Sequence, residues 1–159
     1  MVPKELTSSC GGKTGAKMNS GPTIIVDADA IIAQINSGDI HHLKVTSLTK
    51  KLESSKARFL YPVTAVLEAS AHIQRVLGST PKAYAVARSL IETNSEVIEV
   101  NKQTYKNALD FFMPTTSKKN TLFDCIIAAI AKEYHADAIF SFDKFYPKNG
   151  FKLASDLQV

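Results

Sequence analysis

Four short apolar runs, TIIV (Thr23–Val26), ARFLY (57–61), EVIEV (96–100) and AIFSF (138–142), are separated by stretches with helical periodicity. A strand wet on one face alternates apolar and polar residues, whereas strands covered on both faces read as short apolar runs; the pattern therefore predicts a parallel sheet with helices on either side. The intervening helices are expected at 28–38, ending near Gly38; at 41–54; at 64–77, stopped by Gly78; and at 81–93, with Pro81 in the first turn where its missing N–H is harmless. Two more are expected at 102–113, stopped by Pro114, and at 121–134, the most apolar of the set. A last short strand at 151–154 brings the sheet to about five strands. The expected fold class is α/β, a three-layer α/β/α domain with a mostly parallel sheet.

At 159 residues the chain is expected to form one domain over 23–159, preceded by a flexible leader over 1–22 that is rich in Gly, Ser, Thr and Lys and lacks a hydrophobic period. Gly12-Lys13-Thr14 resembles the end of a phosphate loop, but the required first glycine is Thr7 and no strand precedes it. The two cysteines, Cys10 and Cys125, form no CxxC pair and give no disulfide framework. The leader has no apolar stretch of the secretory kind, and no apolar run reaches membrane-spanning length. A cytoplasmic protein without a membrane partner is the expectation. The net charge of +4 divides almost evenly between leader and domain, so it permits a polyanionic partner without arguing for one.

In a parallel sheet flanked by helices, ligands bind beyond the carboxyl ends of the strands. Asp27 follows the first apolar run directly, with Asp29 two residues on, and Asp143 follows the last. Glu68 lies near the start of the helix after the second run, and Asp124 lies in the first turn of the 121–134 helix. Each has a plain structural explanation. Asp27 is a good N-cap, Asp29 suits a helix dipole, Thr121-x-x-Asp124 is a capping box, Asp143 fits a loop turn, and Glu68 belongs to a polar face with His72 and Arg75. Caps and turns do not require acids from separate segments to share one rim, however. Two carboxylates about 6 Å apart repel by about 3 kcal/mol at an effective dielectric of about 20. A cluster of this kind protonates in part or takes up a divalent cation. Oxygen-only ligands point to a hard ion, Mg²⁺ or Mn²⁺, and such an ion suits phosphodiester hydrolysis.

With IIVDADAII, Glu68 in TAVLEAS, Asp124 in LFDCIIAAIA and Asp143 in SFDKF, the chain from Thr23 onward resembles the PIN-domain nucleases, and is most similar to the VapC-type toxins of toxin-antitoxin pairs. The resemblance implies a metal-dependent endoribonuclease in which Asp27, Glu68, Asp124 and Asp143 are catalytic, with Asp27, Asp124 and Asp143 binding Mg²⁺ or Mn²⁺. Ser141 falls where such proteins often carry Thr or Ser. Asp29 stands where they often carry Asn or Ser, and is placed either as an extra ligand or as an anchor of the turn. Phe142 replaces a residue that is commonly small or polar. The resemblance also implies RNA as substrate, a cognate antitoxin and a homodimer. Lys118, Lys119, Lys144 and Lys148 stand near the expected rim as candidates for RNA phosphates.

Two other readings fit part of the pattern. IIVDADAI approaches the DxDx[TV] motif of haloacid-dehalogenase-like phosphatases, with Asp27 as nucleophile and Asp29 as acid and base, but Ile31 replaces Thr or Val and Glu68 and Asp124 are left without a task. The second is a catalytically degenerate RNA- or partner-binding module. The four histidines show no metal-ligand spacing, and Cys125 reads as a small buried hydrophobe.

Overall fold

Ile24, Ile25 and Val26 are consecutive in a strand, so their side chains must alternate between the two faces of the sheet and both faces need cover. The core divides in this way in the computed structural model, which describes residues 21–92, 95–113 and 119–158, the side chain of Leu90 apart. Ile25 packs in one cluster with Leu60, Ile98, Ile139 and the apolar face that carries Cys125 and Ile127. Ile24 and Val26 pack in a second cluster with Ala33, Val45, Leu52 and Phe140. Each fully buried Ile or Leu contributes about 1.5–3 kcal/mol, so covering both faces is the main stabilising event of the fold.

The elements run β1 (Thr23–Val26), α1 (Ala28–Ile35), α2 (His42–Ser54), β2 (Arg58–Pro62), α3 (Val63–Arg75), α4 (Thr80–Glu92), β3 (Glu96–Ile98), α5 (Lys102–Ala108), α6 (Leu122–Glu133), β4 (Ala138–Phe140) and α7 (Phe145–Lys148). All strand pairs are parallel, in the order β3-β2-β1-β4. The chain thus moves outward from β1 through β2 to β3, then returns to the other side of β1. This reversal makes the carboxyl ends of β1 and β4 the topological switch point, the crevice where such sheets bind ligands.

The sheet has four strands among the described residues, one fewer than expected. Residues 151–154 make only an isolated parallel bridge between Leu153 and Ile139. The Asp156 carboxylate accepts the Leu153 N–H at 3.1 Å and turns the chain into a 3-10 turn, Ala154–Asp156, before a strand can extend. The expected 102–113 helix stops at Ala108, because the next three N–H groups bond carbonyls three residues back and tighten the last turn. Pro62 ends β2 and does not merely follow it. At the last strand position its missing N–H interrupts nothing, and its φ of −58° leads into α3. Lys118, Cys10 and the first 20 leader residues lie outside the described residues.

Gly21 and Pro22 already pack against the α2–β2 turn, where the Pro22 carbonyl accepts the Arg58 N–H at 2.8 Å. A Cβ on Gly21 would stand 2.2 Å from the carbonyl oxygens of both Ser55 and Lys56, which are backbone and cannot swing aside. Gly21→Ala is therefore expected to lower stability by about 1–3 kcal/mol in urea denaturation. Gly38→Ala, whose Cβ would meet only the Asn36 side chain at 3.5 Å, is expected to change little.

Candidate active site

Asp27 sits where β1 hands over to α1, in an extended conformation that makes it the helix N-cap. Its residue is only 6% exposed. Oδ1 accepts the Ala28 N–H at 2.7 Å, and Oδ2 accepts the hydroxyl of Tyr146, also at 2.7 Å. Tyr146 is fully buried in α7. Both oxygens are thus fixed by the protein, and the carboxylate orientation is set by an element 119 residues away in sequence.

Asp29 anchors the turn after β4. Its Oδ2 accepts from Ser141 Oγ at 2.9 Å and from the Phe142 N–H at 2.7 Å. Ser141 Oγ in turn accepts the Asp143 N–H at 3.1 Å, and Asp143 Oδ1 accepts the Phe145 N–H at 2.7 Å. One chain of hydrogen bonds therefore runs from α1 through Ser141 to Asp143 and the start of α7. Of the two placements open for Asp29, the anchor is what these bonds describe. Its Oδ1 is nevertheless buried with no hydrogen-bond partner.

Asp124 completes the capping box of α6: its Oδ2 accepts the Thr121 N–H at 2.5 Å, and Thr121 Oγ1 accepts the Phe123 N–H at 3.2 Å. Glu68 is half-buried on α3. Local capping therefore accounts for part of what Asp124 does, but not for its electrostatics. Burial raises the Asp124 carboxyl above the ordinary range, and the Asp143 charge raises it further. The Glu68 carboxyl is raised by burial, then by Asp124 and Asp29. The Asp27 carboxyl is pushed up to about 8 by burial, then by Asp29, with a smaller push from Asp124. Asp29 is raised by burial and by Asp143. Acids from β1–α1, α3, α6 and the β4 turn thus lie within one another's fields, and a set of independent caps does not explain that.

The family profile for the PIN domain matches residues 24–152. The chain belongs to the PIN domain family. Among solved structures, it shares its fold with VapC20 of Mycobacterium tuberculosis, described as a sarcin-ricin loop cleaving toxin: TM-score 0.68 and 22% identity, over 80% of this chain and 95% of that one. FitAcB from Neisseria gonorrhoeae has a TM-score of 0.57 and 16% identity, over 84% of this chain and 99% of that one. No curated protein sequence matches it. The family match favours the nuclease reading over the phosphatase reading of IIVDADAI.

Other groups of this PIN domain escaped the sequence reading. Tyr146 was unreadable as a partner of Asp27 because it lies in a four-residue helix with a proline inside it, a segment without a helical signal. Asn120 Nδ2 donates to Asp143 Oδ2 at 3.5 Å. Lys119, Lys144 and Lys148 are exposed; Lys144 adjoins Asp143 and Lys148 lies one turn further along α7. Cys125 is buried and its thiol is pushed up to about 11 by burial and by Asp124, as for an inert core residue.

The donor set of the PIN domain consists of oxygens only, which suits a hard cation and not zinc, and the unpartnered Asp29 Oδ1 is a buried oxygen that such an ion would satisfy. Among the described residues no three His, Cys, Asp or Glu side chains stand in a ready-made metal-holding group. Several of the carboxylate oxygens are engaged by protein donors. A separate apolar cavity of about 300 Å³ between α1, α2, β2 and α4, lined by Ile31, Val45, Phe59 and Tyr61 among others, includes none of these acids. No helix among the described residues is long and apolar enough to cross a membrane.

Proposed function

We propose that this PIN domain is a divalent-metal-dependent endoribonuclease of the VapC toxin type, acting in the cytoplasm on RNA and held in check by a cognate antitoxin. The observation that carries the reading is the hydrogen-bonded convergence of Asp29, Ser141 and Asp143 beside Asp27 where β1 and β4 end, with the carboxyls of Asp27, Asp29, Glu68 and Asp124 raised by burial and by neighbouring acids. Clustered carboxylates repel one another until a proton or a bound cation neutralises them. The description of VapC20 as a sarcin-ricin loop cleaving toxin supports the toxin assignment. A homodimer and an antitoxin partner are carried by the family likeness.

In this reading Asp27, Asp124 and Asp143 would hold Mg²⁺ or Mn²⁺, with the unpartnered Oδ1 of Asp29 as a further oxygen, and the ion would supply charge neutralisation for an in-line phosphodiester displacement. Tyr146 keeps the Asp27 carboxylate from rotating. Asp29 and Ser141 fix the backbone that presents Asp143. Glu68, half-buried and more basic than an exposed glutamate, accepts a proton from the attacking water. Lys119, Lys144 and Lys148, all exposed, offset the repulsion between an acidic cleft and a polyanion.

The test is cleavage of structured and single-stranded RNA in Mg²⁺ or Mn²⁺. Cleavage that stops in excess chelator and returns on adding Mn²⁺ is expected. Cleavage that continues undiminished in chelator would overturn the mechanism.

A further inference from the structure

The acidic rim explains how a phosphodiester is hydrolysed and leaves open what holds the nucleotide beside it. Phe142 lies between Ser141 and Asp143, with its N–H tied to Asp29 Oδ2 at 2.7 Å, so its position relative to Asp143 is fixed by backbone bonds on both sides. Its ring stacks on the imidazole of His41, with centroids 4.0 Å apart and planes 7° from parallel. Lys44, in the first turn of α2, places Nζ 5.4 Å from the centre of the same ring. Phe140 and Tyr146, which flank this turn, are buried in the core, whereas Phe142 and His41 are half-buried and Lys44 is exposed. One edge of Phe142 packs on the second core cluster. The ring thus bridges core and surface. The first turn of α2 carries no acidic residue of its own, and the Asp39 carboxylate just before it accepts the His41 N–H at 2.8 Å, which fixes the backbone that presents the His41 ring.

A fixed aromatic step with a cation beside it, one residue from an acid of the cleft, has the chemistry of a nucleotide. A flat base finds a π surface and its phosphate finds an ammonium. We propose that His41, Phe142 and Lys44 form a nucleotide subsite that stacks one unpaired RNA base against the aromatic pair and holds an adjoining phosphate on Lys44. The proposal rests on the ribonuclease reading and adds how substrate is gripped. Only a base freed from a duplex offers its face, so the subsite selects single-stranded or looped RNA at the cut.

Binding is measured by fluorescence anisotropy with the full chain in Ca²⁺, using octauridylate, a ribose-phosphate octamer lacking bases, and an RNA duplex. Phe142→Leu keeps an apolar side chain against the core and removes the π face. It is expected to weaken octauridylate binding by about 5- to 100-fold, to leave the baseless octamer and the duplex unaffected, and to be rescued by Phe142→Trp. Lys44→Gln is expected to reduce the slope of log affinity against log salt by about 0.7. His41→Leu supplies the same comparison should circular dichroism show that Phe142→Leu has lost its fold. Equal binding of octauridylate by the folded variant and the wild type, or an equal loss on both octamers, would overturn the subsite. Wild-type protein that cleaves RNA while Phe142→Leu binds normally removes the subsite alone; wild-type protein that neither binds nor cleaves RNA removes the ribonuclease reading with it.

Discussion

Asp124→Asn is expected to lower RNA cleavage by about a hundredfold or more while leaving the metal-free protein as stable as the wild type, or more so. The amide keeps an oxygen to accept the Thr121 N–H, so the α6 capping box survives in part. It removes a negative charge that raises the carboxyls of Asp27 and Glu68 and the phenol of Tyr146, and that repulsion disappears with it. The lost charge stabilisation in hydrolysis is several kcal/mol, and each 1.36 kcal/mol is tenfold in rate. Thr121→Ala is the matching control, because it removes the cap and keeps the charge. It is expected to cost about 1 kcal/mol of stability with a modest effect on rate. Initial cleavage rates in Mg²⁺ and thermal melts in chelator check both variants. Should Asp124→Asn lose stability as Thr121→Ala does and keep most of its activity, the residue is only a cap.

The contrast between Thr121 and Asp124 also shows how far the sequence carries. The capping box, the β1 run and the acid after it are local patterns, legible because each depends on residues a few positions apart. Helix and strand placement followed from the same local periodicities, and the errors lie where a distant or side-chain contact decides: Asp156 ending the chain's approach to a fifth strand, and the 3-10 bonds closing α5 before Pro114. That the acids share a rim was inferred from the rule that ligands bind beyond the carboxyl ends of parallel strands, which no single segment contains. It needs the acids after β1 and β4 to end side by side, and β4 does pair with β1, Ile25 in register with Ile139. Tyr146 and the Asp29 anchor were out of reach for the same reason: their partners lie more than 100 residues away. Asp29 in particular could be narrowed to two roles but not assigned, since an extra metal ligand and an anchor of the turn look identical along the chain.

In chelator, the protein is expected to lose stability as pH rises from 5 to 8, opposite to the usual behaviour of a carboxylate-rich protein. The Asp27 carboxyl is raised from 3.8 to about 8, so between these values the folded chain holds a proton that the unfolded chain has released. Stability then falls with pH by about 1.4 kcal/mol per unit for one such group. Its contribution is complete below pH 4 and gone above pH 8. Across the whole window this one carboxyl accounts for a loss on the order of 5 kcal/mol. Asp29, Glu68 and Asp124 are raised too and act with the same sign. Glu96 is lowered by Arg58 and acts with the opposite sign, but that pair is exposed and screened, so the buried group wins. Asp27→Asn removes the main ionisation and is expected to flatten the slope. Mn²⁺ binds the ionised cluster, and is therefore expected to raise the melting temperature more at pH 8 than at pH 5. Urea denaturation at half-unit pH intervals, with chelator and with Mn²⁺, measures each arm. A metal-free stability that climbs from pH 5 to 8 would mean that the Asp27 carboxylate is charged throughout, and that the repulsion on which the metal site rests is relieved by something other than a proton or a cation.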